Sequence, residues 1–279
     1  MADTQNAIYA QAYGRNIMQL AQQKQSKLLD TVYRKDNVTG KVYYQDQIGK
    51  WNMETKGGRN TETPNNDPVL GRRMGVMIDK HDNRMVDRGD ELKTISDPRS
   101  AYTIAGSQSI GRQIDQSILD SVTGTANSGE AGATTAPTPT SILITAASPT
   151  VARIAVVKKN FDDNDVEMED RYFVTNTTLL QGMMGVEQAT SSDYHSIKSL
   201  VRGEIDSWMG FQWKFSTLLS TDNVAYAYQK YGICIAFADA PFVRTDERAD
   251  KSYSWQLYYE LNIGAVRLEE ERVFQINEG

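Results

Sequence analysis

The segment from Asp97 to Ala126, DPRSAYTIAGSQSIGRQIDQSILDSVTGTA, constrains the fold most because it predicts one long helix. Asp97 is suited to cap this helix, Pro98 to its first turn and Gly124 to a left-handed residue after its last turn. Apolar residues recur at helical spacing, namely Ile104, Ile114, Ile118, Leu119 and Val122. About 27 residues give a helix roughly 40 Å long. Such a helix is either a strut along which other elements lie or an ordinary core helix, and periodicity alone favours the core helix.

Length, charge and cysteine content narrow the class of protein. The 279 residues exceed the usual size of one compact core, which predicts one large irregular domain or two intergrown ones. A net charge of -6 argues against a dedicated nucleic-acid-binding protein. The single cysteine, Cys234, lies in the apolar run GICIAFA and is predicted to be a buried small hydrophobic residue. No export signal and no run of roughly 18 apolar residues is visible, so we expect a soluble protein that is not exported.

Residues 38 to 79 predict a long hairpin. Its arms are VTGKVYYQDQIGKWNMETKGG and PVLGRRMGVMID, and the turn-rich stretch KGGRNTETPNNDP lies between them. Alternation in the arms predicts one covered face, formed by Val42, Tyr44, Met74, Val76 and Ile78. Because an isolated hairpin is marginally stable in water, a projecting one should gain stability from another subunit.

The remaining segments predict a mixture of helices and strands. A helical arm is expected from Thr4 to Leu29, docked either on a neighbouring subunit or on its own domain, and a flexible loop at 123–140. Helices are expected in SPTVARIAVVKKNFDDNDV, TTLLQGMMG and YHSIKSLVRG, and strands in RYFVTN, EIDSWMGFQWKFST and GICIAFAD. The terminal WQLYYELNIGAVRLEEERVFQIN is expected to form two strands of one sheet around Gly264.

Candidate catalytic residues are few. His81 and His195, the two histidines, are not at a spacing that binds a metal. His81 lies in IDKHDNR, where a charged turn is commoner than acid–base machinery. Ser191, Ser192, Asp193 and His195 have the residue types of a hydrolase without the G-x-S-x-G context.

The densest acidic cluster has the charge to attract a cation, but it lacks the glycine and terminal glutamate of an EF-hand and is more typical of a solvated helix end. It comprises Asp162, Asp163, Asp165, Glu167, Glu169 and Asp170. We therefore predict no enzymatic activity, no metal and no cofactor. An acid–base enzyme that uses His81 or His195 is the alternative from a different functional class.

A set of motifs, taken in order, resembles a known family. The charged stretch IDKHDNRMVDRGDELKTISDP precedes AGSQSIGRQIDQSILDSVTGTA, which contains G-R-x-x-D at Gly111, Arg112 and Asp115. RYFVTNTTLLQGMM at 171–184, G-F-x-W-x-F-S at 210–216 and the terminal EEERVFQI follow. Together with the arm and the hairpin, these motifs resemble the Hong Kong 97-type major capsid protein of tailed bacteriophages over most of the chain.

The resemblance implies an α+β capsid fold of five segments. They are an N-terminal arm (1–37), an extended loop (38–88), a peripheral domain with the long spine helix (89–144), an axial domain (145–240) and peripheral return strands (241–279).

The same resemblance implies a protein that self-assembles as hexamers and pentamers into an icosahedral phage head enclosing double-stranded DNA. A spine helix that begins near residue 98 leaves no room for a fused scaffolding segment, so a separate scaffolding protein is expected, with a portal and weak, non-specific contact with DNA. Decoration proteins are left open. The expected location is the virion shell after assembly in the bacterial cytoplasm, without a membrane. The alternative within this fold is an encapsulin shell that packages cargo enzymes.

Six residues of the hairpin are candidate contacts with neighbouring subunits. Tyr43, Tyr44, Trp51 and Met53 are predicted apolar anchors, and Arg72 and Arg73 form a small basic cluster. Packing of the aromatic residues on their own subunit is an equally good interpretation. Some relatives crosslink through lysine and asparagine; no motif assigns that chemistry to the hairpin residues Lys50, Lys56, Asn65 and Asn66.

Overall fold

The computed structural model describes residues 22–63, 65–87, 98–136, 143–145, 151–184, 207–219 and 224–277. Its helices are α1 (Pro98–Thr123), α2 (Val151–Asp163) and α3 (Thr177–Met184). Its strands are β1 (Tyr33–Lys35), β2 (Val42–Ile48), β3 (Leu70–Val76), β4 (Ile78–Val86), β5 (Ala126–Ser128), β6 (Thr134–Ala136), β7 (Leu143–Thr145), β8 (Arg171–Thr175), β9 (Ser207–Trp208), β10 (Phe211–Phe215), β11 (Ala225–Gln229), β12 (Ile233–Phe237), β13 (Phe242–Arg248), β14 (Ser254–Arg267) and β15 (Val273–Asn277).

The described chain divides into two compact units, which we describe separately. The first unit contains residues 22–26, 79–87, 98–113 and 240–261. The second unit contains the other described residues. These units do not coincide with the five predicted segments, which stay a prediction.

In the first unit, the N-terminal part of α1 packs on strands. β13 runs antiparallel to the first half of β14, and β4 also pairs with β14. Val86, Leu257 and Tyr259 are buried against side chains that include Tyr102 of α1. The close approach requires a glycine in the helix, because a Cβ at Gly106 would lie 2.3 Å from the Tyr259 ring.

The main core of the second unit lies between α2 and a six-stranded sheet in the order β7-β15-β11-β8-β10-β9. Phe161 of α2 contacts Phe274 with ring centroids 4.8 Å apart, and Phe173 contacts Trp213 at 4.3 Å. Every residue of β8 is buried, as the apolar run RYFVT predicts. The predicted helices α2 and α3 and the predicted strand β12 are also confirmed. The predicted helix in YHSIKSLVRG lies outside the described residues.

The prediction of one long helix is confirmed, but the prediction for its end is wrong. Ile118, Leu119 and Val122 are buried as expected, whereas Ile104 is half exposed. Gly124 does not adopt the positive φ angle of a left-handed residue. Its N–H donates to the Asp120 carbonyl, 2.9 Å away, and this bond continues the helical pattern. The predicted cap Asp97 lies outside the described residues.

Arg267, a residue of β14, forms hydrogen bonds with the carbonyls at the end of α1. The guanidinium Nη1 of Arg267 donates to the carbonyls of Val122, at 2.7 Å, and Gly124, at 3.2 Å. A cation at this end of a helix is also favoured by the helix dipole. The helix therefore ends on a long-range contact rather than on a local glycine turn.

The described part of the predicted arm helix, residues 22–28, lies beside α1 and is not helical. Residues up to 21 lie outside the described part. In the second unit, the carboxylate of Asp115, which is fully buried, accepts hydrogen bonds from the backbone N–H groups of Lys27 and Leu28 at 3.0 to 3.2 Å. In the first unit, Arg112 donates to the side chain of Gln22, and Gly111 leaves room for the backbone of Ser26. Within residues 22–28, these tertiary bonds replace the expected helix.

Two further predictions for local structure are wrong. The segment 126–136, expected to be part of a flexible loop, forms β5 and β6, which extend the predicted hairpin to a sheet in the order β2-β3-β5-β6. The terminal strands do not meet at Gly264, because β14 runs through this glycine without a break. The chain turns instead at Glu270–Arg272, and β15 joins the six-stranded sheet.

The hairpin of β2 and β3 is confirmed, and Tyr43 packs it against other strands of the second unit. Tyr43 lies opposite Gly75 in the strand register, and its ring would be only 2.2 Å from a Cβ at Gly75 and 3.1 Å from one at Gly264. Its hydroxyl donates to the carbonyls of Cys234 and Gly264 at 3.3 and 3.4 Å. Burial raises the pKa of this phenol far above its usual value, so it stays a neutral donor. We call this contact the Tyr43 notch.

Replacement of Asp115 by asparagine is expected to destabilise the chain by about 1.5–3 kcal/mol, because the buried carboxylate accepts the backbone N–H groups of Lys27 and Leu28 and the amide has only one acceptor oxygen. Denaturant unfolding of the purified chain measures the change. The control is Asp120→Asn at an exposed position of the same helix, with an expected change within about 0.5 kcal/mol. Equal effects of the two variants would contradict the role assigned to Asp115.

Replacement of Gly75 by alanine is expected to cost about 1–3 kcal/mol, because the new methyl group would overlap the Tyr43 ring. The matched control is Gly71→Ala in the same strand, where the added Cβ would make an ordinary contact 3.6 Å from Gln47. Thermal unfolding followed by circular dichroism distinguishes the two variants. Wild-type stability of Gly75→Ala would show that the Tyr43 notch is not tightly packed.

Candidate assembly surfaces

The hairpin has one face bound to its own chain and one face turned away. Gln47 Nε2 and Arg73 Nε both donate to the Leu268 carbonyl at 2.9 Å, and Arg73 also forms an ion pair with Glu270. Since neighbouring side chains in a strand point to opposite faces, the residues on the other face of β2 and β3 do not share these contacts. The two faces therefore differ in what they offer to a second molecule.

The outer face of the hairpin is apolar at the end far from the Tyr43 notch. Ile48 and Leu70 lie opposite each other in the register, and each is 74% exposed. The adjacent Val69 is also largely exposed. Nearer the notch, the turn at Gly132 approaches the side chain of Met74 and leaves no room there for a Cβ. The distal part of the outer face thus remains uncovered by the described part of its own chain.

An ion pair separates the covered and uncovered parts of the outer face. Arg72 Nε donates to Asp46 Oδ1 at 2.5 Å, and the guanidinium lies 5.4 Å from the centroid of the half-buried Tyr44 ring. The hydrogen bond from Arg72 lowers the pKa of the Asp46 carboxyl below its usual value. Because both groups are solvated, this pair contributes little to folding stability, and it remains accessible to a neighbouring molecule.

The tip of the hairpin presents two large apolar side chains to solvent. Trp51 is 70% exposed and Met53 is completely exposed. The tip encloses an open concavity of about 890 Å³, lined by residues that include Trp51, Met53, Thr55, Lys56 and Asn65. Exposed clusters of large apolar side chains are uncommon in monomers and typical of interaction sites.

Three of the hairpin residues considered for crosslinking, Lys50, Asn65 and Asn66, make contacts with their own chain. Lys50 Nζ lies 3.9 Å from Asp165 Oδ2, and both groups are highly exposed. Asn65 donates to the Asp67 carboxylate and Asn66 to the Asn52 carbonyl, both at 3.2 Å. These contacts assign no crosslinking chemistry.

The six predicted contact residues separate into two groups. Tyr43 and Arg73 are engaged inside their own chain, by the Tyr43 notch and by Leu268 and Glu270, whereas Tyr44, Trp51, Met53 and Arg72 are half-buried or exposed. Contact of these residues with a neighbouring subunit stays a prediction. Sequence reasoning missed Ile48, Val69 and Leu70, although Ile48 falls on the face of Tyr44 at a spacing of four residues.

The prediction of which face of the hairpin is covered was wrong. Val76 and Ile78, expected to be covered, are about half exposed, whereas Tyr43 on the opposite face is buried. Alternation identifies two faces but does not say which of them meets the core. Here Gly75 and Gly264 leave space for the Tyr43 ring, so the face that carries Tyr43 meets the core.

Of the candidate catalytic residues, the structure describes His81 and its neighbours in IDKHDNR. His81 lies on the exposed strand β4 and stacks on Tyr258, with ring centroids 6.4 Å apart. A small cavity of about 220 Å³ beside it contains Lys80, Asp82 and Glu260. Ser191, Ser192, Asp193 and His195 lie outside the described residues. In the part of the chain that the structure describes, no three His, Cys, Asp or Glu side chains are grouped to hold a metal ion.

Three carboxylates of the acidic cluster form ion pairs with basic side chains. Arg171 binds Asp162 at 2.7 Å, Lys159 binds Asp163 at 2.5 Å, and Arg272 binds Glu167. The hydrogen bond from Arg272 lowers the pKa of Glu167 below its usual value. These ion pairs balance three of the six carboxylates of the cluster.

Cys234 is buried, as its apolar surroundings predict. Burial raises the pKa of its thiol to about 11, which keeps the sulfur protonated and unreactive at neutral pH. Among the described helices, none is long and apolar enough to cross a membrane.

Known capsid proteins share both the sequence family and the fold. The family model described as phage capsid protein matches residues 5–278. A structure from Mycobacterium phage Che8 is 17% identical with a TM-score of 0.75, covering 98% of each chain. A capsid structure of the cyanophage P-SCSP1u is 13% identical with a TM-score of 0.77, covering 98% of this chain and 94% of the other. The capsid of Ralstonia phage GP4 is 10% identical with a TM-score of 0.73, covering 99% and 96%. No curated protein shows significant sequence similarity.

These matches confirm the resemblance to the Hong Kong 97-type capsid proteins and an α+β capsid fold with mixed sheets. They favour neither the encapsulin nor the acid–base enzyme interpretation. The match over nearly the whole sequence shows that the chain belongs to the phage capsid protein family and is a structural protein of a phage head.

Proposed function

We propose that the chain assembles as hexamers and pentamers into the icosahedral head of a tailed phage that encloses double-stranded DNA. The observation that carries the proposal is the distal hairpin, whose exposed apolar side chains are Ile48, Trp51, Met53, Val69 and Leu70. At roughly 25 cal/mol per Å² of apolar surface, burial of such side chains at each contact gives a substantial driving force. Because the same contact is repeated around a closed shell, the total driving force is larger still.

The proposed roles within the shell follow the five segments expected from the sequence. Residues 38–88 act as the extended loop that lies over a neighbouring subunit, and residues 1–37 act as an arm. Residues 89–144 and 241–279 form the peripheral domain, and residues 145–240 form the axial domain that converges at capsomer centres. Support comes from α1, from the exposed hairpin tip and from the compact core of α2 with its sheet.

The proposed partners follow from membership of a capsid family. They are other copies of this chain, a separate scaffolding protein, a portal and packaged DNA, with assembly in the host cytoplasm. The net charge of -6 fits weak, non-specific contact with DNA, since tight binding requires many basic groups. Decoration proteins stay open.

The double variant Trp51→Ser/Met53→Ser tests the proposal. Because both side chains are exposed, we expect the unassembled chain to keep its unfolding free energy within about 0.5 kcal/mol. Loss of these anchors should raise the protein concentration needed for assembly by about tenfold or more, the effect of roughly 1.4 kcal/mol per contact. Sedimentation velocity and negative-stain electron microscopy measure the yield of particles.

The matched control is Trp51→Phe, which keeps a large apolar side chain and should assemble nearly as the wild type does. Wild-type particle yield from the serine double variant would contradict the proposed role of the hairpin tip. A wild-type chain that forms no particles, alone or with its scaffolding protein, would contradict the function itself.

A further inference from the structure

The strand β13 leaves one of its two edges unpaired. Among the described strands it pairs with β14 and with no other. That pairing is continuous over all seven residues, from Phe242 opposite Glu260 to Arg248 opposite Ser254. β13 contains no glycine, proline or bulge, which are features that often make an edge strand unsuitable for further pairing. Its open edge is therefore a regular template for one more strand.

The side chains of β13 leave this edge accessible. Six of the seven residues are exposed, and the last is half-buried. Phe242 and Val243 point to opposite faces of the sheet and are 50% and 48% exposed. Large apolar side chains beside unpaired backbone N–H and C=O groups are typical of a site where an extended segment adds to a sheet.

The charges of β13 make the strand complementary to itself. Arg244 and Asp246 flank Thr245, and their side chains form an ion pair at 2.6 Å with 65% and 51% of their surfaces exposed. If two copies of the strand run antiparallel about Thr245, Arg244 of each copy lies opposite Asp246 of the other. The four side chains then form a ring of alternating charge, and the two Thr245 side chains meet at its centre. Opposite charges and paired threonines are both favourable across antiparallel strands.

The same charges disfavour the neighbouring registers. Backbone groups of alternate residues point to the open edge, so the centre of a symmetric pair moves by one whole residue at a time. A pair centred on Arg244 would place two arginines opposite each other. A pair centred on Asp246 would oppose two aspartates and would also bring Arg244 against Arg248. Because like charges directly opposite each other are destabilising, β13 specifies the register about Thr245, which also uses all seven residues.

We propose that the open edge of β13 binds β13 of a second copy of this chain, antiparallel about a two-fold axis at Thr245. The strands β4, β14 and β13 of both copies then form one continuous sheet. Such a contact uses the same surface on both copies, whereas a ring of five or six subunits needs two different surfaces. In a shell built as proposed above, the contact therefore joins subunits of neighbouring capsomers. It goes beyond the proposed function, because it needs only two copies of the chain.

Disulfide trapping in the full chain tests the pairing. Thr245→Cys places two thiols opposite each other, where paired antiparallel residues have Cα atoms about 4.5 or 5.5 Å apart, a separation that a disulfide spans. The native Cys234 is buried, so it does not compete. We expect a covalent dimer of Thr245→Cys in a glutathione redox buffer, on non-reducing electrophoresis of the free chain or of particles.

The matched control is Val243→Cys, on the same face of the same strand. In the proposed register Val243 lies opposite Glu247, so two Val243→Cys thiols are roughly 13 Å apart along the strands and should not crosslink. A mixture of Val243→Cys with Glu247→Cys should crosslink, although neither variant does so alone. No dimer of Thr245→Cys in both the free chain and particles, or equal crosslinking of Thr245→Cys and Val243→Cys, would overturn the proposal.

Charge reversal tests the register by a second measurement. In the Thr245→Cys background, Arg244→Asp or Asp246→Arg sets like charges opposite each other, and we expect the rate of dimer formation to fall about tenfold. The double variant Arg244→Asp/Asp246→Arg exchanges the charges and should restore the rate. Both positions are exposed, so these variants should fold as the parent does. A double variant as slow as the single variants would contradict the charge pairing.

The result is distinguishable from a failure of the proposed function. Particles that form without the Thr245→Cys crosslink would overturn the pairing of β13 and leave the capsid function standing. A crosslinked dimer from a chain that forms no particles would support the pairing and contradict the capsid function.

Discussion

The seating of Tyr43 between Gly75 and Gly264 determines which surface this protein can offer to its neighbours. Side chains of a strand alternate between two faces, so fixing Tyr43 toward the core also directs Gln47 and Arg73 inward. Tyr44, Ile48 and Leu70 must then lie on the other face. A shift of the register by one residue would bury the opposite set, and the buried hydroxyl of Tyr43 with its two carbonyl acceptors opposes such a shift.

The short segment from Arg267 to Arg272 links several parts of the second unit. Arg267 satisfies the end of α1, the Leu268 carbonyl accepts two donors from the hairpin, and Arg272 binds Glu167 after α2. The turn is also where the chain leaves the strand β14 and enters the six-stranded sheet. A displacement of the hairpin therefore acts on a segment that also contacts the helix end and the loop after α2.

Sequence periodicity predicted the elements whose environment is uniform along their length. The long helix, the buried strand RYFVT and the apolar strand ICIAF have patterns that one local rule describes. Periodicity failed where a residue distant in the sequence determines the local conformation. Arg267 ends α1 in place of a left-handed Gly124, and Asp115 holds residues 27 and 28 out of a helix. Gly264 allows close approach of the hairpin rather than a break in the strand.

The candidate surface was predictable only in part for the same reason. The sequence pattern places Trp51 and Met53 in the first arm of the hairpin, next to the turn-rich tip, but β2 ends at Ile48 and both side chains are exposed. Tyr43 and Arg73 have the same residue types as their neighbours Tyr44 and Arg72, and only the tertiary contacts separate them. The family motif G-R-x-x-D could be recognised in the sequence, but its role in holding residues 22–28 could not.

Cryo-electron microscopy of particles formed by the wild-type chain would locate the hairpin of every subunit in the shell. We expect a closed shell of hexamers and pentamers in which Trp51 and Met53 are buried against a neighbouring subunit while Tyr43 stays inside its own chain. A chain that remains a small globular species, or a shell in which residues 49–69 face solvent on every subunit, would contradict this expectation.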